Sequence, residues 1–195
     1  EETLTDELEK MFKRKRVFFG FFQDVEYLND SISMVGEDLQ KALIDSRFKD
    51  IPNVSSIVHI RGGDYLELKH QKEFGVLNED FYRRIEKRFG FKFNDDFTYL
   101  TNDYAFTKEL FPEISSSSIY NQAKGNELDA LYLMAHSTFL CMSNSSFSWW
   151  GGYLALNNGA SVLIPYPWLR KELHGAPISH VYLEGMKKVK AIYKT

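Results

Sequence analysis

Hydrophobic and polar positions along this chain switch repeatedly between two periods. Short runs of consecutive apolar residues, bounded by Asn, Gly, Pro or Ser, predict buried strands at 56–60, 96–100, 117–120, 138–142 and 161–164. Between them, apolar residues three and four apart predict helices. Asn78 caps one that runs to about Phe89, and Asn126 caps another through about His136. Two more cover 104–111, stopped by Pro112, and 147–157. Ahead of this array, 2–15 reads as a helix and 17–22 as a buried aromatic strand. A helix over 36–48 carries Leu39, Leu43 and Ile44 on one face. Strand and helix alternate across short connections. The predicted fold class is therefore α/β: a Rossmann-like parallel sheet with right-handed crossovers, flanked by helices on both faces.

Composition narrows the function classes. Of 195 residues, 44% are hydrophobic and 26% charged, the balance of a globular chain and not of a disordered one. Aromatic residues reach 15%, which favours a packed protein with aromatic-lined clefts. Lys and Arg number 24 against 27 Asp and Glu, a net charge of −3, so no nucleic-acid partner is expected. The single cysteine, Cys141, lies in an apolar run and reads as a small buried hydrophobe, which fits a reducing compartment. No apolar stretch approaches the roughly 20 residues of a membrane span, and no signal peptide is expected at the acidic start. The basic run Lys13-Arg14-Lys15-Arg16 reads first as a solvated helix end; peripheral association with an anionic membrane surface is the alternative.

In open α/β sheets, ligands bind beyond the carboxyl ends of the strands. Three polar clusters fall at such ends: His59-Ile60-Arg61-Gly62-Gly63-Asp64-Tyr65, Thr101-Asn102-Asp103 and Ser143-Asn144-Ser145-Ser146-Phe147-Ser148-Trp149-Trp150. Arg61 is followed by two glycines that let backbone approach a ligand, and its guanidinium fork suits phosphate oxygens. His59 shares its sheet face by the period of two. The plainer reading has Arg61 paired with Asp64 and His59 as a satisfied core histidine. In the third cluster, hydroxyls and free N–H groups gather at a helix start, where the dipole favours an anion. Ser145 or Ser146 is expected to N-cap that helix, and Trp149 and Trp150 read as core. Asn102 or Asp103 either accepts hydrogen bonds from a ribose or a guanine edge, or caps the next helix.

Several chemistries lack their motifs. There is no G-x-G-x-x-G and no P-loop, so a dinucleotide or P-loop ATP site is unsupported. No H-E-x-x-H, His/Cys group or D-x-D pair points to a metal, and no G-x-S-x-G elbow points to a serine nucleophile.

At these clusters the sequence resembles the α-1,2-fucosyltransferases of glycosyltransferase family eleven. The likeness runs through His59-Ile60-Arg61-Gly62-Gly63-Asp64-Tyr65 (family pattern H-x-R-R-G-D-Y), Thr101-Asn102-Asp103 (usually S-D-D) and Ser145-Ser146-Phe147-Ser148-Trp149-Trp150-Gly151 (S-S-F-S-W-W-G/A). Leu131-Tyr132-Leu133-Met134 and Phe19-Gly20-Phe21-Phe22-Gln23 extend it. The resemblance implies an inverting transfer of L-fucose from GDP-β-L-fucose to the 2-hydroxyl of a galactose-type glycan acceptor. It also implies two Rossmann-like lobes in a GT-B-like arrangement, of which the C-terminal one binds GDP. Arg61 would hold the β-phosphate, with Ser145, Ser146, Phe147 and neighbouring N–H groups as further donors. His59 would support Arg61 or the nucleotide, and Asn102 and Asp103 would lie at the guanosine. No metal or other cofactor is implied, because Arg61 and the helix N-terminus supply the charge at the departing diphosphate. Inversion calls for a general base on the acceptor hydroxyl, and Asp64 and Glu67 are the nearest carboxylates in sequence.

Two departures shape the remaining expectations. The second arginine of the family pattern is Gly62 here, and the family's glycine-rich N-terminal segment has no counterpart. Residues 1–50 are therefore expected to be a remnant of the acceptor-side lobe with its connecting helix, 51–170 the GDP-sugar-binding domain and 171–195 a C-terminal tail. An incomplete or inactive GDP-sugar-binding module is the alternative function, and a purely structural domain the third. A cytoplasmic place in bacterial surface-polysaccharide synthesis is expected, at the membrane periphery if the basic run engages lipid. The Golgi lumen is the alternative if a eukaryotic anchor preceded the chain.

Overall fold

The computed structural model describes residues 32–50, 54–170 and 181–194. The predicted helix at 2–15, the strand at 17–22 and the family-like segment Phe19 to Gln23 lie outside the described residues. Helix α1 (Ile32–Ala42) opens the described chain and tightens into a 3-10 turn, Leu43–Asp45. Then come β1 (Val54–Ile60), a 3-10 turn Gly63–Leu66, α2 (Leu68–Glu73) and α3 (Glu79–Phe89). They are followed by β2 (Phe97–Thr101), α4 (Tyr104–Leu110), β3 (Ile119–Asn121), α5 (Glu127–Ala135) and β4 (Ser137–Cys141). Last are α6 (Ser146–Asn157), β5 (Ser161–Tyr166) and β6 (Lys187–Lys190).

The six strands form one sheet in the order β3-β2-β1-β4-β5-β6, every neighbouring pair parallel. This is the α/β Rossmann-like class that the alternation predicts. Each face of the sheet is covered, and the period of two assigns side chains to it. Ile57, Leu100, Leu140, Val162 and Ile164 point to one core, packed with α5 and α6. Val58, Ile60, Tyr99, Cys141 and Leu163 point to the other, with α3 and α4. Cys141 is fully buried, as its apolar run predicts. Helix α6 lies close on α5 and β4 through two glycines: a Cβ on Gly151 would meet Met134 Sδ at 2.7 Å, and one on Gly152 Met142 Sδ at 2.5 Å.

Local chemistry sets the helix starts. The side chains of Asn78 and Asn126 accept from the N–H groups of Phe81 and Leu128, as N-cap residues do. Four differences from the pattern are instructive. Ile44 is 63% exposed, because the helix gives way to a 3-10 turn after Ala42 and turns it outward, while Leu43 stays buried. Strand β5 continues through Pro165 to Tyr166, since proline's φ suits extended backbone. The short helix α2 carries no buried residue and so leaves no periodic trace. Strand β6 lies in the stretch expected as a tail; only Val189 of its four residues is buried, and its lysines guard the sheet edge. Among the described residues, no helix is long and apolar enough to cross a membrane.

Candidate functional site

Strands β1 and β4 are neighbours at the centre of the sheet, and from them the chain winds outward in opposite directions. Their carboxyl ends therefore flank the topological switch point, where this class of sheet takes its ligands. Register brings the clusters together. Val58 lies opposite Cys141, and Ile60 opposite Thr101. The residues that follow are Arg61, Asn102 and the 143–146 loop, side by side.

Hydrogen bonds lock these loops to one another. Gly62 N–H donates to Asn102 Oδ1 at 2.9 Å, and Gly63 N–H to Asp103 Oδ2 at 3.0 Å. The second oxygen of Asp103 accepts from Phe106 N at 3.0 Å, so Asp103 caps α4 while anchoring the Gly63 turn. Both of its oxygens are engaged by backbone. Toward β4, His59 Nδ1 and Ser143 Oγ are 2.7 Å apart, and Tyr65 Oη donates to Asn144 O at 3.3 Å. The buried Asn144 amide donates to the carbonyls of Phe74 and Gly75, both at 3.0 Å. Tyr65 also stacks on Phe74, with centroids 5.3 Å apart.

Arg61 reaches Asp64 Oδ1 at 2.7 Å and lies over the Tyr65 ring at 5.0 Å. Its side chain is 28% exposed and that of Asp64 47%, so the pair is open to water and weak. The Arg61 Nε is buried with no hydrogen-bond partner. His59 is buried at 2% exposure beside Phe147. Burial and then the Arg61 charge push its imidazole down to about 3, against a smaller upward pull from a hydrogen bond with Gln122. Near neutral pH the ring is uncharged, which suits support of a ligand-binding loop and not proton transfer. Burial raises the Tyr65 phenol as well.

Helix α6 departs from expectation. Ser145 occupies the N-cap position with extended backbone, yet its side chain makes no cap bond. Its hydroxyl is turned from the cap role that Asn78, Asp103 and Asn126 fill elsewhere, and the first-turn N–H groups of α6 have no capping side chain. Ser148, in that first turn, is fully buried, and its Oγ has no hydrogen-bond partner. Trp149 is core: fully buried, its Nε1 donates to Val181 O at 2.8 Å. Glu67 sits exposed at the N-cap position of α2 and makes no cap bond.

Sequence reasoning passed over Gln122. It follows β3 directly, as Asn102 follows β2, so the logic of polar residues at strand ends applies to it equally. Its Nε2 is buried without a partner. Among the described residues the buried side-chain nitrogens and oxygens without partners are Arg61 Nε, Gln122 Nε2 and Ser148 Oγ. All three belong to segments at the carboxyl edge of the sheet.

Fold and site together define a Rossmann-like α/β domain whose candidate site lies at the β1/β4 switch point. The sequence model of glycosyltransferase family 11 matches residues 3–184, and the chain belongs to that family. It is 28% identical over 169 residues to an α-1,2-colitosyltransferase of Escherichia coli, covering 80% of this chain and 57% of the relative. It is also 28% identical over 170 residues to the O-antigen biosynthesis glycosyltransferase WbnK of Escherichia coli, covering 77% and 54%. The matched region is thus little more than half the length of either relative.

Proposed function

We propose that this chain is the donor-binding part of an inverting glycosyltransferase that moves L-fucose from GDP-β-L-fucose to the 2-hydroxyl of a galactose-type acceptor. The observation that carries the reading is the set of unpaired buried atoms at one sheet edge: Arg61 Nε, Gln122 Nε2 and Ser148 Oγ. A buried donor left unpaired costs about 1–3 kcal/mol, and a ligand rich in acceptor oxygens removes that penalty. The Arg61 guanidinium and the uncapped start of α6 put positive charge where a diphosphate leaving group gains negative charge. In this reading they do the work that a metal ion does elsewhere. Ser145, Ser146 and Phe147 lend backbone N–H groups to the phosphates, and the neutral His59 braces the β4–α6 loop through Ser143. Asn102 lies at the nucleoside side of the crevice. Of the two carboxylates after the Arg motif, Asp64 is taken by Arg61, so Glu67 is the better candidate for the acceptor proton. A relative named for O-antigen biosynthesis supports a place in surface-polysaccharide synthesis; the cytoplasmic side, at the membrane periphery, is the location we propose for it.

A second reading is favoured by the partial coverage of the relatives, 57% and 54%. In it, the chain binds the GDP-sugar, and turnover needs residues beyond it. Titration with GDP, GDP-fucose and UDP, followed by a transfer assay on a galactoside, separates the two. Failure to bind any guanine nucleotide would overturn both. Binding without transfer or hydrolysis favours the second. Transfer from a colitosyl and not a fucosyl donor, in line with the other relative's name, would overturn the fucose assignment alone.

A further inference from the structure

Gln122 is one of the three unpaired groups at the sheet edge, but it brings no charge to a diphosphate. It begins the 3-10 turn after β3, whose Asn121 is paired with Thr101 of β2. Strand β3 lies two places from β1, about 10 Å across the sheet at the usual strand spacing. The Gln122 side chain nevertheless reaches back far enough to exert a small upward pull on the buried His59 imidazole. Its amide nitrogen, Nε2, is buried without a partner, a donor left open to a ligand atom.

We infer that Gln122 reads the nucleoside half of the donor, donating from Nε2 to a neutral acceptor atom on the base or ribose. The inference rests on the reading of the crevice as a nucleotide-sugar site. Two arguments direct the amide to the nucleoside. The charges that suit a diphosphate, Arg61 and the start of α6, sit at β1 and β4, and an uncharged amide on the β3 side adds little there. The transferred sugar must also stay open to an incoming acceptor, whereas Gln122 Nε2 is buried, so it faces the part of the donor that remains enclosed. Guanine presents two such acceptors, O6 and N7, and the ribose hydroxyls supply others.

The test is calorimetric titration of the full chain and of Gln122→Met and Gln122→Leu with GDP and with pyrophosphate. Both remove the amide donor, add no charge and keep most of the volume. Both variants should bind GDP about tenfold more weakly, the loss of one hydrogen bond that leaves a buried acceptor unmet, while pyrophosphate affinity holds. Unliganded Gln122→Met should melt no lower than the parent, because it removes an unpaired buried donor. A residue that only held the fold would lower the melting temperature and weaken both ligands alike; that result, or unchanged GDP affinity, overturns the inference. Should the parent chain bind pyrophosphate but not GDP, the nucleoside role falls and the anion site stands. Binding of neither would sink the nucleotide reading itself and this inference with it.

Discussion

Gly62→Arg restores the second arginine of the family pattern and so tests whether charge alone decides donor binding. Packing argues that it does not. A Cβ at position 62 would lie 2.7 Å from Asp103 Cβ and 3.0 Å from Phe106 Cδ1, and neither atom is the free end of a flexible chain. Asp103 must then move, and it holds two bonds: to Phe106 N as the cap of α4 and to Gly63 N, both at 3.0 Å. Losing the cap costs about 1 kcal/mol, and losing the Gly63 bond about another. Gly62→Ala is thus expected to lose about 2 kcal/mol, and Gly62→Arg more. For a domain of this size that is a fall in Tm of roughly 4–8 °C, readable by calorimetry or urea unfolding. Because the Gly63 turn carries Arg61 into the crevice, GDP affinity should fall with it, against the expectation from added positive charge. The cause is separable by a double-mutant cycle. In an Asp103→Ala background, Gly62→Ala should cost under about 1 kcal/mol, since the bonds it breaks are already gone. Gly62→Arg that melts at or above the parent and binds GDP more tightly would refute the packing argument outright.

Three further outcomes follow from the same geometry. Arg61→Ala should remove most of the GDP and pyrophosphate affinity, well over about 1 kcal/mol, yet shift Tm little, because its ion pair with Asp64 is open to water; a small affinity change by titration would unseat the phosphate role. The His59 ring stays neutral down to about 3 when folded but takes up a proton near 6.5 when unfolded. Between those values the unfolded state binds more protons, so stability should fall with falling pH by up to about 1.4 kcal/mol per unit from this group. His59→Asn should flatten that part of a urea-derived stability profile, and an unchanged slope would contradict the buried neutral ring. The fully buried Asp129 carboxylate accepts from Ser46 Oγ, Arg47 N, Arg47 Nε and Tyr120 Oη, tying the turn after α1 to α5 and β3. Asp129→Ala strands those donors and should destabilise by about 3 kcal/mol or more in urea unfolding; a loss under about 1 kcal/mol would show the network to be dispensable.

Where the pattern along the chain predicts structure well, the cause is local. The Asn78 and Asn126 caps and the apolar strand runs depend on residues within a few positions of one another. The three polar clusters converge for a longer-range reason that the alternation already implies: every strand of a parallel sheet presents its carboxyl end on the same edge. What the pattern does not contain is strand order. That β1 lies between β2 and β4, so that the loop after β1 bonds to the loops after both, is a property of the assembled sheet. Strand β6 escaped for a different reason, since an edge strand with one buried residue in four has no apolar run to show.

Asp103, Ser145 and Gln122 show why site residues are harder to assign than strands. Asp103 and Ser145 are both residue types that cap helices, and both stand at a helix start after a strand. In the fold, Asp103 gives each oxygen to a backbone N–H and has none to spare, while the Ser145 side chain gives the helix no cap bond. Gln122 holds its amide nitrogen buried and unpaired. A side chain becomes available to a ligand through what the surrounding fold leaves unpaired, and that remainder depends on neighbours distant in sequence. The motif marks which loops meet; the unpaired atoms mark which side chains within them are left open to a ligand. Gln122 lies outside every motif of the family pattern and is singled out on the second ground alone, so its variants test that principle as well as the residue.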